Sequence, residues 1–259
     1  MKIGFIGSGL IGGDLALKFG KLGHSVRVSN SRGPETLTEL AAETGATAST
    51  IEEVIANSDV IVIAVPQKAI TTLPKELFAQ LPSNTVVIDC GNYAPIRDGD
   101  IKDLDDGEAD SAWVQRQLGF PVVKAFNGIS IGSLSVNSRA AGDPERIALP
   151  VASDAPESKA IVLQLIDSIG FDVYDSGSIA DSWRQQPGTP SFATDYTLTG
   201  LPDALQRAVR SEVRIRFDVF MNKIYLGAGL DNTSIADVRK VADEPFDQVL
   251  EAYKLLSTK

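Results

Sequence analysis

The run Lys2-Ile3-Gly4-Phe5-Ile6-Gly7-Ser8-Gly9-Leu10-Ile11-Gly12 decides the fold. Its first five residues read as a short apolar strand, and its glycines then fall in the spacing G-x-G-x-x-G. The next stretch is helical: Ile11, Leu15, Phe19 and Leu22 lie on one stripe, with Asp14, Lys18 and Lys21 turned away. A strand feeding a glycine turn that opens a helix is the context in which this spacing holds a dinucleotide. Gly7 permits the tight turn, Gly9 lets a pyrophosphate approach the backbone, and Gly12 lets the helix sit close to the strand. The helix N-terminus adds unpaired N–H groups and the positive end of its dipole. Gly7, Ser8, Gly9, Leu10, Ile11 and Gly12 are therefore the expected pyrophosphate-binding residues, and the helix is expected to end between Gly20 and Gly23.

Outward from this motif, short apolar runs alternate with amphipathic stretches. The candidate strands are Lys2–Ile6, Ser25–Ser29, Val60–Val65, Thr85–Asp89, Val122–Phe126, Ile147–Ala152 and Asp172–Asp175, several rich in β-branched residues. This is the pattern of βαβ units on a sheet buried on both faces. The expected fold is α/β: a doubly wound, mostly parallel Rossmann sheet over residues 1–178, followed by a linker and C-terminal helical appendage over residues 179–259. Ser176 to Pro190 is rich in Gly, Ser and Pro, and Pro202–Tyr225 and Ser234–Leu256 read as two long helices. In the first of these, Arg207, Arg210, Arg214 and Arg216 interleave with Leu205, Val209, Val213 and Phe217, the pattern of an amphipathic helix with a solvated basic face. Asn92 to Asp110 interrupts the alternation with Pro95, Gly99, Gly107 and aspartates at 98, 100, 103, 105, 106 and 110. It reads as a surface excursion carrying a solvated acidic turn, since the spacing of a calcium-binding loop is not met.

The end of the second strand bears on the choice of dinucleotide. NAD binders usually carry an acid there for the ribose 2′-hydroxyl. This chain has Ser29-Asn30-Ser31-Arg32, with no carboxylate to repel a 2′-phosphate and with Ser31 and Arg32 supplying donors that suit one. NADP(H) is the expected cofactor. Ala64-Val65-Pro66, Cys90-Gly91-Asn92, Asn127 and Ser130 all fall at carboxyl ends of strands, where open α/β sheets bind ligands. For Asn92, Asn127 and Ser130, ligand contact and turn capping are both open. His24 starts the second strand, at the opposite edge, and reads as structural. Lys124, inside a strand, is expected to make a structural pair, since its charge must be satisfied somewhere.

The net charge of −10, from 34 acidic against 24 basic residues, disfavours a nucleic-acid partner. No apolar run approaches the roughly 20 residues that span a bilayer. The opening residues lead into the glycine turn and not into a cleavable signal, so no membrane partner and a cytoplasmic location are expected. One cysteine, Cys90, and one histidine, His24, leave no usual zinc ligand set, and no metal is expected.

Several longer stretches carry a family resemblance: Gly4 to Gly12; Leu22-Gly23-His24-Ser25-Val26; Asn30-Ser31-Arg32-Gly33-Pro34-Glu35; Ala64-Val65-Pro66; Val122-Val123-Lys124-Ala125-Phe126-Asn127; and Asp181-Ser182-Trp183-Arg184. In these the chain resembles the NADPH-dependent reductases of the deazaflavin coenzyme F-420 and their bacterial relatives, over most of residues 1 to 190. The resemblance implies that Ser8 to Ile11 hold the pyrophosphate and that Ser31 and Arg32 hold the 2′-phosphate. It places Val65, Pro66, Asn92 and Ala125 at the nicotinamide. It further implies hydride transfer between NADPH and a small-molecule electron acceptor, a flavin, a deazaflavin or another planar ring, and a homodimer packed through the C-terminal helices. The chain departs from the deazaflavin reductases proper at Ala125-Phe126-Asn127, where they carry a histidine-containing stretch, and in the excursion Asn92–Asp110. Two other functions fit the residues: reduction of an imine or carbonyl, with Lys124, Tyr93 or Tyr196 as proton donor, and non-catalytic sensing of NADP(H). No catalytic residue is assigned from the sequence.

Overall fold

The computed structural model describes residues 1–223 and 235–256. In chain order the regular elements are β1 (Lys2–Ile6), α1 (Leu10–Lys21), β2 (Ser25–Ser29), α2 (Thr38–Thr44), β3 (Thr47–Ala48), α3 (Ile51–Ala56), β4 (Val60–Ile63), α4 (Lys75–Phe78), β5 (Val86–Asp89), α5 (Pro95–Asp98), α6 (Lys102–Asp105) and α7 (Asp110–Leu118). They continue with β6 (Val123–Lys124), α8 (Ile131–Val136), β7 (Ala148–Ala152), α9 (Pro156–Ser168), β8 (Asp172–Gly177), α10 (Leu201–Gln206), α11 (Val213–Phe220), α12 (Ile235–Ala242) and α13 (Phe246–Leu256).

The eight strands form one sheet in the order β3-β2-β1-β4-β5-β6-β7-β8. Every neighbouring pair is parallel except β6 and β7, which meet antiparallel at Lys124 and Ala152. Chain order reverses between β1 and β4, so the crevice above their carboxyl ends is the topological switch point. Alternate residues serve opposite faces. Ile3, Phe5, Val60 and Val62 pack with Leu15 and Phe19 of α1 and Val162 and Ile166 of α9. Ile6, Ile61, Ile63 and Val87 pack with Val54 of α3, Phe78 of α4 and Trp113 and Val114 of α7. The expected doubly wound, mostly parallel sheet is present, with a helical region after it.

Differences from the sequence reading have local causes. The strand expected over Val60–Val65 stops at Ile63, because Pro66 has no N–H with which to extend the ladder. Val122–Phe126 shrinks to Val123–Lys124, since Phe126 turns to a left-handed φ of 62°. β3, two residues long, carried too short a pattern to be seen. The helix expected over Pro202–Tyr225 is instead α10, an extended break at Val209, a 3-10 turn over Arg210–Glu212, and α11. Leu201 and Leu205 pack on Ala148 and Tyr174, whereas Ala208 and Val213 pack on Trp183. One straight helix would have to serve both targets. Likewise Ser234–Leu256 is α12 and α13, divided before Pro245, which cannot continue a helix. The predicted end at Tyr225 and start at Ser234 lie outside the described residues.

The basic face of this tail is exposed at Arg207, Arg210 and Arg214 and half-buried at Arg216, and each of the four also has a partner. Arg207 pairs with Asp203 and Asp243, Arg214 with Asp218 and Asp105, and Arg216 with Glu212, while Arg210 donates to the Gly107 carbonyl at 2.7 Å. Arg210 and Arg214 thereby tie the tail to the acidic excursion. That excursion is less solvated than its composition suggested, for the side chain of Asp98 is fully buried and Asp110 is 1% exposed.

Candidate functional site

The glycine loop sits at the switch point with the spacing of parts that its sequence demands. A Cβ on Gly7, whose φ is 109°, would lie 2.3 Å from the Ala64 carbonyl oxygen, and one on Gly12 would lie 2.2 Å from the Gly7 carbonyl. Both positions therefore require glycine for close approach between β1, β4 and α1. Gly9 differs: a Cβ there would meet no atom within 4 Å. Its φ of −75° also tolerates a side chain, so the open space above Gly9 is room for a ligand and not a packing necessity. Leu10, 74% exposed, stands at the rim of the same opening.

Asn30 links this loop to the end of β2. Its amide donates to Thr36 Oγ1 at 2.9 Å and reaches Ser8 Oγ at 3.4 Å, and its Oδ1 accepts from the Arg32 N–H at 2.8 Å. The residue at the position of the usual ribose-binding acid thus orients the loop, leaving Ser31 and Arg32 exposed beside the glycine turn. The Arg32 guanidinium has no acidic partner among the described residues.

Across the crevice, Ala64, Val65 and Pro66 leave β4, with Val65 half-buried and Pro66 exposed. The floor below is polar and tightly held. Lys124 and Asp89 are fully buried and pair at 3.4 Å. Lys124 Nζ also donates to the Gly91 carbonyl, and Asp89 accepts from the Gly91 N–H at 2.9 Å and from Ser111 Oγ at 2.5 Å. Both ends of the Gly91 residue are clamped by one ion pair, the structural pairing expected of Lys124. Cys90 lies between Asp89 and Gly91 and is buried. Burial, with the neighbouring Asp89 charge, pushes its thiol far above the ordinary range.

Asn92 and Asn127 form a reciprocal pair: each amide donates to the other residue, at 2.9 Å to the Asn127 carbonyl and at 3.0 Å to Asn92 Oδ1. Asn127 is further tied to Gln185 at 2.7 and 3.0 Å. Ala125 is fully buried below them. Ser130 caps α8, accepting from the Ser133 N–H at 3.1 Å.

None of the three sequence-derived proton donors faces this crevice. Lys124 is consumed in its ion pair. The Tyr93 hydroxyl lies 2.9 Å from Asp105 and accepts from the Ile101 N–H at 3.0 Å. Tyr196 packs its ring on Arg239. His24 bonds the N-terminal amine at 3.2 Å and stacks edge-on to Phe19, at the far edge of the sheet.

Asp110 was not singled out by its sequence. Its carboxylate accepts from the Tyr93 N–H at 2.9 Å and from Gln186 Nε2 at 2.7 Å, joining the excursion to the segment after β8. Burial pushes it up to about 6, against the opposing pull of Lys124 and the Tyr93 N–H. A cavity of about 770 Å³ opens beside it, walled by Tyr93, Trp183, Arg210, Val213 and Phe217.

Comparison with known proteins bears on this site. Residues 2–93 match the model of a family described as NADP oxidoreductase, coenzyme F420-dependent, in agreement with the resemblance read from the motifs. The matched segment holds β1 to β5 and the glycine loop. The Escherichia coli (strain K12) protein YjhV is 41% identical over 75 residues, which are 29% of this chain and 55% of that protein. The match thus spans about half the length of that curated relative. A Sinorhizobium meliloti protein named only as hypothetical superposes with a TM-score of 0.63 at 27% identity, covering 76% of this chain and 95% of its own. A protein of Arthrobacter sp. FB24, provisionally named an F420-dependent NADP reductase, superposes with a TM-score of 0.59 at 24% identity, covering 71% of this chain and 87% of its own. Among the described residues no helix is long and apolar enough to cross a membrane.

Proposed function

We propose that this chain, whose residues 2–93 carry the sequence of a family of NADP oxidoreductases, binds NADP(H) across the β1–β4 crevice. There it moves a hydride between the nicotinamide and a planar electron acceptor such as a flavin or deazaflavin. The observation that carries the reading is the union of two features at one edge of the sheet: the space above Gly9 and, beside it, the guanidinium of Arg32, which has no acidic partner among the described residues. The first suits a pyrophosphate on a helix N-terminus, and the second suits a 2′-phosphate. In this reading residues 1–178 are the cofactor-binding domain, with Gly7, Ser8, Gly9, Leu10, Ile11 and Gly12 at the pyrophosphate and Ser31 and Arg32 at the 2′-phosphate. Val65, Pro66 and Asn92 frame the nicotinamide with Ala125 buried beneath them, and the linker and helical extension over residues 179–259 offer the surface for a homodimer. Bound there, the cofactor would supply a hydride, which carries both electrons of the reduction. The protein's task is alignment and exclusion of water.

The test is a titration of NADPH and NADH against the wild type and Arg32→Ala, together with NADPH oxidation over a panel of deazaflavin, flavin mononucleotide, quinone and ferric chelate. Loss of Arg32 should weaken NADPH by about 2–4 kcal/mol and leave NADH nearly unchanged. Equal losses for both cofactors contradict the 2′-phosphate assignment. Tight NADPH binding with no oxidation by any acceptor favours a sensing role.

A further inference from the structure

The proposed reaction takes up a proton as well as a hydride, and none of Lys124, Tyr93 and Tyr196 is placed to deliver one. Beside the crevice, three oxygen-bearing side chains stand in series. Ser130 Oγ donates to Ser133 Oγ at 2.9 Å, and Ser133 Oγ donates to Asp195 Oδ2 at 2.5 Å. Ser130 Oγ also accepts the Ser133 N–H, which leaves it one lone pair without a partner among the described residues. Ser133 is 4% exposed, whereas Ser130 is only half-buried.

The place of Ser130 is set by helix packing. Lys18, late in α1, reaches the Ser135 carbonyl and Ser138 Oγ at and beyond the end of α8. Ile11 and Ile131, at the starts of the same two helices, pack against one core. The two helices therefore run side by side in the same direction, and Ser130 and Gly9 mark their starts on the same edge of the sheet.

Asp195 is held there at a cost. Its φ is 51° and that of Ala193 is 55°, a left-handed conformation in two non-glycine residues within three positions. Such strain is maintained where surrounding structure over-determines it, and it clusters at functional sites. Its Oδ1 is buried without a hydrogen-bond partner among the described residues. The charged group facing Asp195 is Arg239 of α12, and that guanidinium is committed to the Thr194 and Asp195 carbonyls at 2.6 and 2.9 Å and to the ring of Tyr196. The guanidinium thus lies beside the carboxylate with its donors given to backbone carbonyls and not to the carboxylate.

We propose that Ser130, Ser133 and Asp195 form a proton relay whose outer end, Ser130, meets the electron acceptor in the crevice. The inference rests on the hydride-transfer reading above. In the reducing direction one acceptor atom takes the hydride of NADPH, and a second acceptor atom takes the Ser130 proton. Ser130 is reprotonated by Ser133, and Ser133 by the Asp195 carboxylic acid. The carboxylate left behind accepts from Ser133 as seen in the structure, and solvent restores its proton. The sum is NADPH, one proton and oxidised acceptor giving NADP⁺ and reduced acceptor. In the oxidising direction each transfer reverses. Burial, against the opposing pulls of the Ser133 hydroxyl and Arg239, holds the Asp195 carboxyl above its ordinary value, as a group that must hold a proton requires.

The experiment combines carboxyl NMR with kinetics on the full chain. In Ser133→Ala, loss of the hydroxyl donor should move the Asp195 titration to higher pH, a readout independent of turnover. An unmoved titration overturns the relay. With whichever acceptor the panel yields, Ser130→Ala, Ser133→Ala and Asp195→Asn should each lower kcat about a hundredfold. Ser133→Thr should recover most of that loss, and the pH dependence of kcat should flatten in Asp195→Asn. NADPH binding is titrated in the same samples. A wild type that fails to bind NADPH removes the reading beneath the relay, and intact binding with unchanged kcat in all three variants removes the relay alone.

Discussion

Gly7 and Gly9 occupy one motif and do different work. At Gly7 a side chain would strike the backbone of β4 and force a strained φ, so Gly7→Ala should lower unfolding stability by about 2–4 kcal/mol. At Gly9 an alanine meets nothing and its backbone is already permitted, so stability should change by less than about 1 kcal/mol. Its methyl group then stands in the space assigned to the pyrophosphate, and NADPH binding should fall by at least tenfold. Urea denaturation and a binding titration of the two variants separate these effects. Equal destabilisation of both, or unchanged binding in Gly9→Ala, contradicts the assignment. The sequence spacing already assigned Gly9 to the ligand and Gly7 and Gly12 to the turn and the helix packing; what it did not name is the atom each gap faces. Which glycine is needed for the fold and which for the ligand depends on what lies across the gap, and that is set by Ala64, some fifty residues away. The same holds for Asp110 and Asp195. Each is an unremarkable acid in sequence, and each acquires its environment from a partner distant along the chain.

At the scale of elements, the strands were legible because burial on both faces writes a continuous apolar run. Their ends were misread where a proline or a left-handed residue closes them early, at Ile63 ahead of Pro66 and at Lys124 ahead of Phe126. The division at Pro245 could have been read directly. The break at Val209 could not, since no glycine or proline marks it and it arises from two packing targets, Ala148 and Trp183. Least legible was the excursion, whose aspartates look alike until α5 to α7 bury two of them. Asp110 gives this element a pH signature. Its folded value, about 6, stands above the ordinary carboxylate value of roughly 3.9. The folded chain therefore binds the proton more tightly than the unfolded chain does. The associated stability is fully present below about pH 4 and is lost as pH rises through 6, amounting to about 3 kcal/mol. Asp110→Asn fixes the neutral form, so its stability relative to wild type should improve between pH 4 and pH 8. A constant difference across urea denaturation at several pH values would falsify the burial argument.

Over the whole molecule, the tail and the excursion are joined by charge: Arg214 to Asp105, and Arg210 to the Gly107 carbonyl, while Arg207 and Asp243 tie the tail to itself. These pairs are half-exposed, so each contributes at most about 1 kcal/mol, and they determine where the tail rests more than how firmly. The fixed part is the sheet, and its buried clamp on Gly91 encloses the one thiol of the chain. Cys90 is both shielded and held as the unreactive thiol, while thiolate is the form that alkylating reagents attack. The residue is thus a clock for opening of the crevice floor. Mixed with a maleimide at neutral pH, the folded protein should label at a rate set by transient opening, far below that of the urea-unfolded chain. NADPH, by favouring the closed state, should slow the labelling further in proportion to its own binding. The concentration of NADPH that halves the rate then reports cofactor affinity without any acceptor at all.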